Sequence, residues 1–160
     1  RAAQADDASA IAQIWNTIII DTSVTFTNEL KTQAGLSVDI SAKNSNDWDA
    51  FLVVESHGIV SGFATFGQFR AGPGYAKTVE HSVILAPNAQ GSGVGRRLMG
   101  ALFDQARHYG AHSMFAGVSG ENPAGVAFHA ALGFDVIATL PEVGFKFNRW
   151  MDLILMQKML

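Results

Sequence analysis

The chain has 160 residues, 48% of them apolar and 16% charged, enough for one domain with its own core, and no apolar stretch approaches the ~18 residues of a spanning helix. Eleven basic against fourteen acidic side chains give a formal charge of −3, without the basic stripe that binds a phosphate backbone, so nucleic acid is not an expected partner. Cysteine is absent, which removes disulfides, thiolate metal sites and a cysteine nucleophile, and the five histidines lack HExxH-type spacing, so no metal is expected.

No basic-then-apolar leader follows Arg1, which makes the cytoplasm the expected compartment. Ile11, Ile14, Trp15, Ile18 and Ile19 recur at helical spacing, with Asp6 and Asp7 ahead of them as N-cap candidates. Residues 22–26 are β-branched and polar and read as a segment leaving that helix. Residues 30–49 are polar and weakly patterned: a second helix is expected, then a loose Asn-rich loop at 44–47.

Residues 51–54 and 59–66 flank a His57-Gly58 turn and predict an antiparallel hairpin, followed by a Val- and Ile-rich strand over 78–85. A glycine-rich turn, 90–95, opens a helix that carries Val94, Leu98 and Leu102 on one face and ends near Tyr109 and Gly110. A strand over 112–118, a helix over 123–132 and a strand over 134–140 follow. The apolar run within 149–160 predicts a last strand buried on both faces. This order describes a single mixed α/β domain over residues 1–160.

The segment Gln90-Gly-Ser-Gly-Val-Gly95 lies between a strand and a helix. Its glycines permit close backbone approach, and the free N–H groups of a helix start attract a pyrophosphate, with Arg96 and Arg97 adding positive charge. The Walker lysine is missing, and G-x-G-x-G after an antiparallel meander is not the dinucleotide fingerprint. On the loop alone, a purely structural turn stays open.

The flanks narrow this. Gln90-Gly-Ser-Gly-Val-Gly-Arg96 resembles the Q/R-x-x-G-x-G/A signature of the GCN5-related N-acetyltransferase (GNAT) superfamily. Thr78-Val-Glu-His-Ser-Val83, Asn122-Pro-Ala-Gly-Val-Ala-Phe-His129, Leu132-Gly-Phe134 and Val143-Gly-Phe-Lys-Phe-Asn-Arg-Trp-Met-Asp-Leu153 are similar to blocks of its phosphinothricin and methionine sulfoximine branch. The resemblance implies an α/β (α+β mixed) GNAT fold: a mixed, mostly antiparallel sheet of six to seven strands, flanked by helices and splayed beside strand four, with acetyl-CoA as cosubstrate. Backbone groups of Val83, Ile84 and Leu85 would pair with the pantetheine arm. Gln90, Gly91, Ser92, Gly93, Val94, Gly95 and Arg96 would cradle the pyrophosphate. Asn122 would contact the cofactor and also suits the N-cap of a helix starting at Pro123. Gly125 stands where relatives often carry serine or alanine.

Direct attack by an amine needs a base, an oxyanion donor and a proton for the thiolate. Glu80 is the expected base, working through water, with a salt-bridged strand carboxylate as the alternative. A backbone N–H near Ile84 or Leu85 is expected to face the oxyanion. His129 stands where many members carry tyrosine and is either the acid for the thiolate or a packed helix residue. His81 alternates to the other strand face and reads as structural. Between two strands, Arg70 suits a carboxylate and Lys77 offers a point charge, Pro73 and Gly74 shape the loop, and Tyr75 and Phe26 would wall the acceptor pocket. The resemblance implies the α-amine of a small amino-acid analogue as substrate and a homodimer using the last strand, with Trp150 and Met151. Other amines (polyamine, aminoglycoside, protein N-terminus) and a non-catalytic CoA-ester module remain alternatives.

Overall fold

The computed structural model describes residues 1–46 and 49–160. The N-terminal stripe forms α1 (Ala8–Asp21), with Ile11 and Ile18 buried. Asp7 does not cap it. Its carboxylate instead accepts the Gln4 amide at 2.7 Å and binds the Arg1 guanidinium at 2.8 and 3.0 Å, closing a short 3-10 turn, Ala5–Asp7. The second helix, α2 (Gln33–Asn44), is capped by Thr32, whose hydroxyl accepts the Gly35 amide at 3.1 Å. The end of the Asn-rich stretch, Asp47, lies outside the described residues.

The hairpin is β1 (Ala50–Ser56) and β2 (Ile59–Gln68), turned through His57 and Gly58 at φ 52° and 78°. Two left-handed residues match the twist of the strands they join. Next, β3 (Thr78–Leu85) runs antiparallel to β2. Then come α3 (Val94–His108), β4 (Ser113–Ser119), α4 (Pro123–Ala131), β5 (Asp135–Lys146) and β6 (Arg149–Met159). The six-stranded sheet has the order β1-β2-β3-β4-β6-β5, and one bridge from Ala2 to Leu52 extends it at the N-terminus.

Two strand expectations need correction. β5 does not stop near Leu140 but passes Pro141 and an irregularity to Lys146. Nor is β6 buried on both faces: Met151 and Met156 are buried, while Trp150 is 59% exposed where the β5–β6 hairpin leaves the body of the sheet.

The sheet separates two cores. Phe66, Val79, Met114, Ala116 and Met156 pack with Leu98, Met99 and Leu102 of α3. On the other face, Phe51, Val53 and Phe63 meet Ile11 of α1 and Leu36 and Ile40 of α2. Strand alternation thus sends Val79 and His81 toward α3 and α4, and Glu80 and Ser82 toward α1.

Candidate active site

β3 and β4 pair in parallel only from Thr78 to Glu80; beyond that the two strands diverge. The Phe69 amide donates to Thr78 O and the Ala86 amide to Ser61 O, so even-numbered residues of β3 turn their backbone groups to β2. Lys77 O accepts the His112 amide, so odd-numbered residues face β4. Past Glu80, the backbone groups of His81, Val83 and Leu85 therefore face the splay with no strand beside them. Ile84 does not: its carbonyl points toward Gly62 of β2. Of the three expected pairing residues, Val83 and Leu85 present the open edge, and Leu85 rather than Ile84 has its N–H on the side of an oxyanion. A free extended edge accepts an amide-bearing chain as an added strand.

The splay opens into a cavity of about 600 Å³. Val83, Ile84 and Leu85 line it from β3, Gly117 from β4, Phe128 and His129 from α4, and Trp15, Ile18, Val24 and Thr25 from α1 and the loop after it. Gln90, Gly91, Gly93, Gly95, Arg96 and Asn122 line its outer end; Ser92 and Val94 do not. Gly91 and Gly93 have φ of 75° and 78°, and a Cβ on either would meet nothing within 4 Å. Glycine is needed there for the backbone turn, and the space above it is open to a ligand. Ser92 braces the loop by donating its hydroxyl to Ala89 O at 2.6 Å. The Arg97 amide bonds Gly93 O, which leaves the Val94, Gly95 and Arg96 amides as the unpaired donors of the helix start. Gly95 serves packing: a Cβ would press on Leu85 at 3.1 Å and Phe128 at 3.2 Å.

Asn122 caps α4, its side-chain oxygen accepting the Gly125 amide at 2.9 Å. A Cβ on Gly125 would collide with the Asn122 amide, so the glycine that departs from the family pattern fits the position of Asn122 in this chain.

Glu80 sits beside the cavity and does not line it. A Cβ on Gly117 would lie 3.3 Å from Glu80 Oε1, which places the carboxylate next to the β4 wall. Among the described residues it makes no ion pair, and loss of solvent around the carboxylate raises its pKa from the ordinary value, which strengthens it as a base. Beside it, Phe69 and Phe115 stack at 4.5 Å, with the exposed Arg70 guanidinium 5.5 Å from the Phe69 ring.

On the opposite face, His129 Nδ1 lies 2.7 Å from Gly125 O. Only a protonated nitrogen can bond a carbonyl oxygen, so neutral His129 presents a bare Nε2. That nitrogen and both ring nitrogens of His81 are buried without a hydrogen-bond partner among the described residues. The two rings lie 5.1 Å apart. Burial lowers the pKa of both, and with the neighbouring His129 it pushes His81 down to about 3.

The remaining acceptor residues are scattered. Pro73, Gly74 and Tyr75 form an exposed 3-10 turn outside the cavity. The Lys77 ammonium lies against Gly110 behind α3, across the sheet from Glu80. Phe26 packs on Gly144 of β5, next to the cavity-lining Val24 and Thr25. Sequence reasoning missed Trp15, Ser82 and Thr25 as lining residues, and it missed the burial of Lys146, which lies beyond the expected end of its strand.

A mixed sheet opened between two parallel strands, with a glycine cradle at the following helix, defines an acyl-CoA-type acetyltransferase domain. The acetyltransferase (GNAT) domain profile matches residues 1–155, and the chain belongs to the GNAT acetyltransferase family. It is 40% identical over 157 residues to the L-amino acid N-acyltransferase MnaT of Escherichia coli, covering 98% of this chain and 91% of that protein. It is 39% identical, with the same coverage, to the L-methionine sulfoximine/L-methionine sulfone acetyltransferase of Salmonella typhimurium. The solved structure of yncA from Salmonella typhimurium, with its cofactor acetyl-CoA, superposes with a TM-score of 0.94 at 38% identity, covering 99% of this chain and 91% of that one.

Proposed function

We propose that this protein transfers an acetyl group from acetyl-CoA to the α-amine of a small amino acid or analogue of the methionine sulfoximine and phosphinothricin type. The observation that carries the reading is the splay itself: an unpaired β3 edge, an open glycine cradle at one end and a carboxylate of raised pKa beside the other. The residues fit acetyl-CoA. Val83 and Leu85 would bond the pantetheine amides, and the amides of residues 94–96 would hold the pyrophosphate.

Glu80 takes a proton from the substrate ammonium through water, and the neutral amine then attacks the thioester carbon with its freed lone pair. The Leu85 N–H faces the oxyanion that forms as the C–N bond is made. The C–S bond then breaks, and the leaving sulfur takes up, through water, the second proton that the nitrogen sheds as the amide forms. With Nδ1 committed to Gly125, His129 can supply a proton to the sulfur only as an imidazolium, a form that burial disfavours; its neutral form accepts a hydrogen bond at Nε2. Arg70 lies on the Glu80 face and supplies the charge for an α-carboxylate. We place the reaction in the cytoplasm and the chain in a homodimer through the apolar β5–β6 hairpin, where Phe145, Phe147 and Trp150 are each about half exposed.

Incubation with acetyl-CoA and a panel of amines, read by mass spectrometry, tests the reading. N-acetylated methionine sulfoximine or phosphinothricin supports it, whereas spermidine as the sole acetylated amine refutes the amino-acid assignment.

A further inference from the structure

Lys146 is 1% exposed, and among the described residues no carboxylate pairs with it. Its ammonium donates to Thr22 O at 2.7 Å and Thr25 O at 2.8 Å, and lies 5.0 Å from the Phe147 ring. A buried cation that meets two carbonyl oxygens and a ring face but, among the described residues, no carboxylate is costly, so its contacts need a reason. Thr22 is the C-cap of α1, where carbonyl groups carry the negative end of the helix dipole and favour a cation. The chain then runs through Val24 and Thr25, which line the cavity, to Phe26, which lies flat against Gly144. Gly144 and Lys146 stand two apart on β5, so both act on the same face. The loop is thus fixed twice to one strand, by charge at Thr22 and Thr25 and by a ring over a glycine at Phe26.

We propose that Lys146 is a positioning residue of the acetyl-transfer site: with Gly144 it pins the Thr22–Phe26 loop to β5, and so sets the wall against which the amine substrate is held. This rests on the reading of the splay as the transfer site. The clamped loop lines the cavity through Val24 and Thr25, beside Trp15 and Ile18, and supplies none of the glycine-cradle residues, so its loss is expected to weaken the amine and spare acetyl-CoA.

The test uses Lys146→Met, which keeps the length of the stem and removes the charge, and Gly144→Ala, which keeps Lys146 and displaces the Phe26 ring. In both, KM for the amine should rise about tenfold or more, as expected for a misplaced binding wall, while calorimetry finds the Kd of acetyl-CoA within about twofold of wild type. Chymotrypsin should cut after Phe26 about tenfold faster in Lys146→Met, since a released loop opens locally. An unchanged amine KM in folded Lys146→Met overturns the proposal, as does an equal loss of acetyl-CoA affinity, which marks general damage. If the wild-type protein acetylates no amino acid, the substrate reading falls. The clamp is then decided by KM for whichever amine is used, or by cleavage at Phe26 alone if none is: faster cleavage supports it and an unchanged rate overturns it.

Discussion

His129 Nδ1 lies 2.7 Å from the carbonyl oxygen of Gly125, one helical turn earlier, and this bond fixes both the tautomer and the orientation of the ring. Its neighbour His81 has no such partner among the described residues and is the more strongly neutral of the two.

Stability should carry the signature of this pair. Both histidines have folded pKa values below the ordinary one, so the unfolded chain binds more protons as pH falls below about 6.5. The stabilisation is complete above that value and is lost toward pH 3, with a slope of up to ~1.4 kcal/mol per pH unit for each histidine that differs fully in protonation. His81→Phe should flatten the acid limb of denaturant midpoint against pH between about 6.5 and 4.5. An unchanged limb would mean that His81 is protonated in the folded protein.

Glu80→Gln keeps shape and removes the base. A fall in kcat of roughly 10²–10³, with acetyl-CoA affinity unchanged, is expected in steady-state kinetics and calorimetry. A variant with the wild-type rate and pH profile would make Glu80 a structural residue.

Gly93 stands at φ 78° with open space above its Cα. Gly93→Val places a branched side chain in that space and strains the backbone by about 1–2 kcal/mol or more. Acetyl-CoA binding should fall below detection by calorimetry while circular dichroism shows a folded chain. Unchanged affinity would remove the loop from the cofactor site.

Much of this was legible in the sequence because its signals are local. The α1 stripe, the His57-Gly58 hairpin turn and the glycine loop before α3 each name their element through spacing and backbone chemistry. Less legible was anything that depends on which neighbour a backbone faces. Ile84 could be assigned to β2 only once its register with Phe63 was known, and the Asp7 carboxylate turned to Arg1 because the N-terminus lies beside β1. Lys77 illustrates the same limit: one residue of strand parity puts it behind α3 and not beside Glu80.

Trp150 and Phe145 meet at 4.9 Å on the exposed hairpin face, a patch expected between two copies of the chain. Trp150→Asp should shift light scattering from dimer to monomer at micromolar concentration. A wild-type monomer would contradict the assembly without touching the chemistry.

The transferred acetyl group is expected to go to the amine of an amino acid. The most direct test is kcat/KM for methionine sulfoximine and for its decarboxylated amine, each measured on wild type and on Arg70→Ala. Wild type should prefer the amino acid, and Arg70→Ala should lose tenfold to a hundredfold on it alone, the equivalent of a charge-assisted pair of about 1.5–3 kcal/mol. Equal rates for the two compounds in wild type would show that no group of the site recognises the carboxylate, and would overturn an amino-acid substrate.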